Sequence, residues 1–127
     1  MSESRKLQAN AIVVVRDAEL AVSLELALLA GGFNAFVYDP NQGIERLPFE
    51  IAMTLIVDAQ ILMPDPAAFV VGLRARPWKG LVVLVTGDGE TLRTVFGRSD
   101  RIAVLEMPFV GADLLTAIRR VWPDASS

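Results

Sequence analysis

The 127-residue sequence contains neither cysteine nor histidine, and these two absences exclude several kinds of site. Without cysteine, the chain forms no disulfide and no thiolate zinc site. Without histidine, it has no imidazole base and no serine–histidine catalytic pair. Any bound metal ion would have to be a hard cation held by carboxylate and carbonyl oxygens. We predict no catalytic residue and no enzymatic activity, and the motifs described below lead us to predict no metal site.

Basic charge and long apolar runs are also scarce. Ten Arg and two Lys stand against 15 acidic residues, the net charge is −3, and the basic residues form no stripe. Nucleic-acid binding is not expected, because such binding depends on a basic patch. The longest uncharged stretch, residues 26–38, is shorter than the roughly 20 residues of a membrane helix, and no signal peptide follows the charged start. We expect a cytoplasmic protein that binds neither nucleic acid nor membrane.

Short apolar strands alternate along the chain with segments of helical periodicity. The strand candidates are residues 12–15, 35–38, 51–57, 81–85 and 102–105, and the helix candidates are residues 18–30, 42–47, 64–76, 90–96 and 110–122. Continuously apolar strands are typical of a parallel sheet that is covered on both faces. The pattern predicts a single α/β domain with a doubly wound (βα)5 fold and a five-stranded parallel sheet. It spans residues 10–122, and residues 1–9 and 123–127 are predicted to be flexible ends.

Polar residues follow most of the predicted strands. In a doubly wound sheet, ligands bind beyond the carboxyl ends of the strands, where the strand order reverses. The residues at these positions are Arg16, Asp17, Asp39, Asp58, Thr86, Met107 and Pro108. Aspartate and threonine also cap helices and begin turns, so a purely structural role is the alternative for each of them.

Three short motifs occur in a characteristic order: TLIVD ending at Asp58, LVVLVTG containing Thr86, and EMPF containing Met107 and Pro108. Together they resemble the receiver domain of two-component response regulators, the CheY-like family, over residues 11–122. The resemblance implies a flavodoxin-like fold, a role in bacterial signal transduction, and a histidine kinase or phosphotransfer protein as partner. It places Asp58 at the phosphoacceptor position, with Thr86 and Val104 at the two switch positions.

The sequence departs from the family pattern at the positions that handle phosphate and metal. In the family, an acidic pair at the end of the first strand holds Mg²⁺. Counting back from Gly32 and Phe33, where the family's first helix ends, places Val15 and Arg16 at this pair and Asp17 one residue too late. Met107 replaces the family's lysine before Pro108, and a valine occupies the position of the aromatic switch residue. The resemblance is therefore to a degenerate, atypical receiver.

The arginine suggests a specific arrangement of the pocket. A guanidinium remains charged in proteins, so Arg16 brings a permanent cation close to Asp58. We predict that Arg16 pairs with Asp58 and takes the place of the metal; the alternative is that Arg16 points to solvent while Asp58 caps a turn. The predicted function is that of a pseudo-receiver, which uses no cofactor and acts through protein–protein interaction. Because the chain ends at Ser127, we expect no output domain.

Two other functions remain open from the sequence. In the first, Asp58 accepts phosphate in a working receiver, and Asp17 with Asp65 or Glu106 completes a magnesium site. In the second, the domain binds a nucleotide or small anion near Arg16 and residues 86–89.

The first predicted helix is apolar on two opposite sides. At 100° per residue, Leu24 and Leu28 point to the core, whereas Val22, Leu26 and Leu29 cluster on the opposite side. An apolar stripe that faces away from the sheet indicates a surface for a signalling partner or for a second copy of the chain. The alternative is that neighbouring loops or the last helix cover it.

Overall fold

Five parallel strands form one sheet in the order β2-β1-β3-β4-β5 in the computed structural model, which describes residues 7–97 and 101–123. The strands are β1 (Asn10–Val14), β2 (Asn34–Val37), β3 (Thr54–Asp58), β4 (Leu81–Thr86) and β5 (Ile102–Glu106). The helices of the described residues are α1 (Ala18–Ala30), α2 (Pro66–Arg74), α3 (Gly89–Phe96) and α4 (Gly111–Val121). This strand order is that of the flavodoxin-like doubly wound fold, and it confirms the predicted fold class.

Two apolar layers enclose the sheet. On one face, α1 and α4 contribute buried residues that include Leu24, Leu28 and Ile118. On the other face, α2 and α3 contribute buried residues that include Val70 and Phe96. The central strands β3 and β4 are buried along almost their whole length, which explains why their sequences are continuously apolar instead of alternating.

The segment between β2 and β3 differs from the prediction. We expected a helix over residues 42–47, but the chain forms three short 3-10 turns between residues 40 and 51. Gly43, with a φ of 89°, separates the first two turns, and Pro48 precedes the third. A left-handed glycine and a proline each interrupt the hydrogen bonds of an α-helix. The predicted second helix was therefore wrong, and the strand expected from residue 51 begins at Thr54.

Most of the residues predicted as flexible ends, 1–6 and 124–127, lie outside the described part of the chain. Residues 7–9 are described, and the Leu7 carbonyl accepts a hydrogen bond from the Met53 amide. None of the helices within the described residues is both long and apolar enough to cross a membrane.

Two tryptophans, one on each face of the sheet, bind neighbouring carbonyl groups just before β3. Trp78 packs in the layer of α2 and α3, and its Nε1 donates to the Ala52 carbonyl at 2.7 Å. Trp122 packs in the layer of α1 and α4, and its Nε1 donates to the Met53 carbonyl at 3.2 Å. Both side chains are buried. Because they bind adjacent carbonyls from opposite faces, they connect the two layers at the amino-terminal edge of the sheet.

Candidate functional site

The strand register brings the candidate residues to the carboxyl-terminal edge of the sheet. Val14 pairs with Val57, so Arg16, two residues beyond β1, and Asp58, the last residue of β3, lie at nearly the same height on neighbouring strands. This edge holds a depression of about 630 Å³, whose lining includes Arg16, Asp17, Asp58, Gln60, Thr86 and Met107. It lies where the strand order reverses, the usual location of a ligand site in this fold.

Asp58 is buried, and both of its carboxylate oxygens accept hydrogen bonds. The side chain caps the 3-10 turn Ala59–Leu62, with Oδ1 accepting from the Gln60 amide at 2.9 Å. Oδ2 accepts from Nε of Arg16 at 3.3 Å. The predicted ion pair is therefore present, together with the turn cap that was its alternative.

The guanidinium of Arg16 contacts Asp58 through Nε alone. Its side chain is 60% exposed, whereas that of Asp58 is 11% exposed. A single contact of this kind is weaker than a bidentate arginine–carboxylate pair, and solvent screens the exposed end. The contact nevertheless places a permanent positive charge against the one buried carboxylate of the depression.

Asp17 directs its carboxylate into the start of α1. Oδ1 accepts hydrogen bonds from the amides of Glu19 and Leu20 at 2.8 and 3.2 Å. Such an N-cap satisfies amides that have no partner within the helix, and the helix dipole favours the negative charge. Asp17 therefore lines the depression, but its Oδ1 is already hydrogen bonded to the first turn of α1.

The other acidic residues considered as metal ligands lie in separate places. Asp65 caps α2 by accepting from the Ala68 amide at 3.0 Å. Glu106 pairs with Arg93, whose Nη1 lies 3.3 Å from Oε1. Within residues 7–97 and 101–123, no group of three or more acidic side chains could hold a metal ion. Mg²⁺ binds through carboxylates with free oxygens, and the residues around Asp58 do not fit it.

Thr86 ends β4 and begins the turn into α3. Its Oγ1 accepts from the Asp88 amide at 3.0 Å, and its carbonyl accepts from the Met107 amide at 2.8 Å. Asp88 then caps α3 by accepting from the amide and the hydroxyl of Thr91. These two hydrogen bonds, the hydroxyl one foremost, lower the pKa of the Asp88 carboxyl.

The remaining predicted residues are only partly gathered at the site. Met107 lines the depression and is 38% exposed, but its thioether offers no hydrogen-bond donor. Pro108 lines a neighbouring depression between α1 and the start of α4, which Met107 also borders. Val104 is half-buried on β5 and packs against the layer of α2 and α3. The structure thus brings Arg16, Asp17, Asp58, Thr86 and Met107 to one depression, and the switch position Val104 lies on β5.

The outer face of α1 is uncovered in the described part of the chain. Val22, Leu26 and Leu29 are 54%, 61% and 53% exposed, whereas Leu24 and Leu28 are buried. We call the first three residues the α1 apolar face. The helix itself carries two glutamates and no basic residue, and Arg119 of α4 donates to the Gly31 carbonyl at its end.

Sequence reasoning missed one contact at this edge of the sheet and left the donor of another unnamed. The alternative in which Asp58 caps a turn did not identify the Gln60 amide as the donor. The Arg93–Glu106 pair joins α3 to the end of β5, and these residues are too far apart in sequence for a local pattern to connect them. The cap of α3 by Asp88, in contrast, had a readable signal, since aspartate is a preferred N-cap just before a predicted helix.

Comparisons with solved structures agree with this geometry. A sensor protein from Polaromonas sp. JS666 matches with a TM-score of 0.72 and 20% identity over 91% of this chain and 98% of its own. A response regulator receiver domain protein from Clostridium thermocellum matches with a TM-score of 0.71 and 14% identity, covering 87% and 91% of the two chains. The receiver domain of a sensor histidine kinase from Pseudomonas aeruginosa, solved with a magnesium ion in its active-site cleft, matches with a TM-score of 0.63 and 18% identity, covering 87% and 94%.

These similarities establish the fold of the chain as that of CheY-like receiver domains. No protein-family model matches the sequence, and no curated protein does so either.

Proposed function

We propose that this protein is a pseudo-receiver that takes part in signal transduction by binding another protein, without accepting phosphate at Asp58. The observation that carries the proposal is the contact of Arg16 with the Asp58 carboxylate, whose other oxygen is held by the Gln60 amide. The receiver fold supports the signalling role, and the chemistry of the pocket supports the loss of phosphorylation.

Phosphoryl transfer to a carboxylate needs a free oxygen in line with the phosphorus and cations that neutralise the developing charge. The Pseudomonas relative has a magnesium ion in its cleft. Here the attacking oxygen of Asp58 would first have to leave Arg16 or Gln60. Arg16 repels a metal ion, and Met107 cannot donate to a phosphoryl oxygen.

The proposal predicts that a small phosphodonor will not modify the protein. After incubation with acetyl phosphate and Mg²⁺, intact-mass spectrometry should find the wild type as unmodified as the Asp58→Asn variant. A receiver with an intact acidic pair, treated in the same tube, shows that the donor is active. The double variant Arg16→Asp, Met107→Lys restores the family's acid and lysine, and we expect it to gain the adduct. A wild-type adduct that disappears in Asp58→Asn would instead establish a working receiver.

The α1 apolar face supports the second part of the proposal. Three exposed aliphatic side chains on one helix face, with no basic residue on the helix, are suited to a partner that presents an apolar helix bordered by Lys or Arg. We propose that a histidine kinase or a phosphotransfer protein is this partner. Its binding would convey the signal that phosphate conveys in an ordinary receiver.

The surface can be tested separately from the pocket. Leu26→Glu places a charge at the centre of the face, and we expect it to weaken binding at least tenfold, about 1.4 kcal/mol. The measurement is calorimetric titration against purified cytoplasmic segments of histidine kinases and phosphotransfer proteins. Val71→Glu is the matched control, since Val71 is 71% exposed on α2. Equal binding by both variants would contradict the proposed face.

A further inference from the structure

The strand β2 forms one edge of the sheet and pairs only with β1 among the described residues. Phe36 and Val37 are 36% and 44% exposed, which is unusual for large apolar residues of a strand. The missing helix between β2 and β3 explains part of this exposure, because short 3-10 turns replace it. Residues 34–38 read Asn-Ala-Phe-Val-Tyr and contain no charge and no proline.

The direction of the backbone groups along β2 follows from the hydrogen bonds at its two ends. The Asn34 amide donates to the Ala9 carbonyl and the Tyr38 amide donates to the Val13 carbonyl. Successive residues of a strand turn their backbone groups to opposite sides. The backbone amide and carbonyl of Phe36 therefore point toward β1, like those of Asn34 and Tyr38. Ala35 and Val37 therefore turn their amides and carbonyls outward, where no described residue hydrogen bonds to them.

Proteins usually protect such an edge with a lysine, a proline, a bulge or a covering segment. The described residues provide none of these at β2. The opposite edge, β5, differs, because the charged side chains of Arg101, Asp113 and Arg120 line a cavity beside it. Both edges of the sheet therefore carry backbone groups that no described residue pairs with, but only β5 has charged side chains beside it.

We propose that β2 pairs with β2 of a second copy of this chain, in antiparallel orientation, to form a two-fold symmetric dimer with a continuous ten-stranded sheet. A two-fold axis at Phe36 sets Ala35 of each copy opposite Val37 of the other. Each of these two residue pairs exchanges two N–H···O=C bonds, so the four outward groups of each strand are all satisfied. The two Phe36 side chains lie across from each other as a non-hydrogen-bonded pair, where side chains approach most closely.

The shape of the edge favours a second copy over an unrelated strand. An uncharged strand meets itself without like-charge repulsion, and a two-fold contact uses the same patch twice. Val37 is in register with Val13, which belongs to the layer of α1, so Val37 lies on the same face of the sheet as α1. Phe36, the neighbouring residue, lies on the other face of the sheet. The partner strand therefore covers Val37 on the face of α1 and Phe36 on the face of α2 and α3. A short contact of this size predicts a weak dimer.

Matched valine substitutions test the dimer. Val37→Lys adds a charge at the free edge while leaving the hydrogen bonds to β1 intact, and Val71→Lys makes the same change on the distant helix α2. Sedimentation equilibrium across a concentration series should show the wild type and Val71→Lys approaching twice the chain mass of 13.8 kDa. The Val37→Lys variant should stay at the monomer mass, so at the highest concentration its apparent mass should be about half that of the wild type.

A second readout follows the backbone directly. Hydrogen exchange by NMR should slow at the Ala35 and Val37 amides as wild-type concentration rises, while the Phe36 amide, which faces β1, exchanges at a constant rate. Val37→Pro removes one outward amide and should also prevent dimerisation. A wild type that remains monomeric throughout, or a dimer that survives Val37→Lys, would overturn the proposal. So would a dimer abolished by Leu26→Glu alone, because the contact would then lie on α1.

Discussion

At the scale of single residues, Thr54 is a buried polar group with an unmet hydrogen bond. It begins β3, is 1% exposed, and its Oγ1 has no hydrogen-bond partner among the described residues. A buried hydroxyl without a partner loses its hydration and gains nothing in return. Threonine and valine have nearly the same shape, so this loss can be measured by substitution.

We expect Thr54→Val to raise the free energy of unfolding by about 1 kcal/mol. Thermal denaturation followed by circular dichroism should show a midpoint about 3 °C higher for a chain of this size. Thr116→Val, at an exposed position of α4, is the control and should change little. A lower midpoint for Thr54→Val would indicate that the hydroxyl has a partner, such as a bound water.

The sequence was sufficient to propose the contact between Arg16 and Asp58 beside its alternative, because both residues lie at the carboxyl ends of strands that a parallel sheet places side by side. It was not sufficient for Pro108, which was predicted to line the same pocket but lines the neighbouring depression. The position of Pro108 depends on how α4 packs against α1, and this packing between distant helices has no local signal in the sequence.

At the scale of elements, continuous apolar runs predicted the strands and helical periodicity predicted α1 closely, whereas the weak periodicity between β2 and β3 led to a wrong helix. The segment 42–47 has helix-forming residues, but Gly43 and Pro48 limit it to single turns. The helix predicted over residues 64–76 extends only from Pro66 to Arg74, and Asp65 caps its start. Local composition indicates where a helix is permitted, and capping residues determine where it begins.

Two glycines should respond in opposite ways to the same substitution. A Cβ added at Gly72, in α2, meets nothing within 4 Å, so Gly72→Ala should stabilise the protein by about 0.5–1 kcal/mol through helix propensity. A Cβ at Gly80 would overlap the Trp78 ring and the Met53 carbonyl, so Gly80→Ala should destabilise it by about 1–3 kcal/mol. Urea denaturation of the two variants measures both effects, and equal shifts would contradict the packing described.

At the scale of the whole molecule, the two apolar layers share one sheet and meet again at the tryptophan contacts before β3. Trp78 and Trp122 bind the adjacent carbonyls of Ala52 and Met53 from opposite faces. Loosening of either layer therefore disturbs the strand on which the other layer rests. Such coupling favours unfolding in a single cooperative step.

The variants Trp78→Phe and Trp122→Phe each leave a single tryptophan, which reports on one layer. In each variant, urea unfolding followed by fluorescence should coincide with unfolding followed by far-ultraviolet circular dichroism. The midpoints of the two variants can differ from each other, because each loses a different hydrogen bond. Fluorescence that changes before circular dichroism would show that one layer opens independently.

A phosphorylated receiver stores its message in a covalent bond, and the lifetime of that bond determines how long the message lasts. A pseudo-receiver of the proposed kind, with a guanidinium against Asp58, would have only one covalent state. Its output would then scale with the number of copies in the cell and with competition for its surfaces. Synthesis and proteolysis would set the strength of the response, on a timescale of cell growth instead of phosphate turnover.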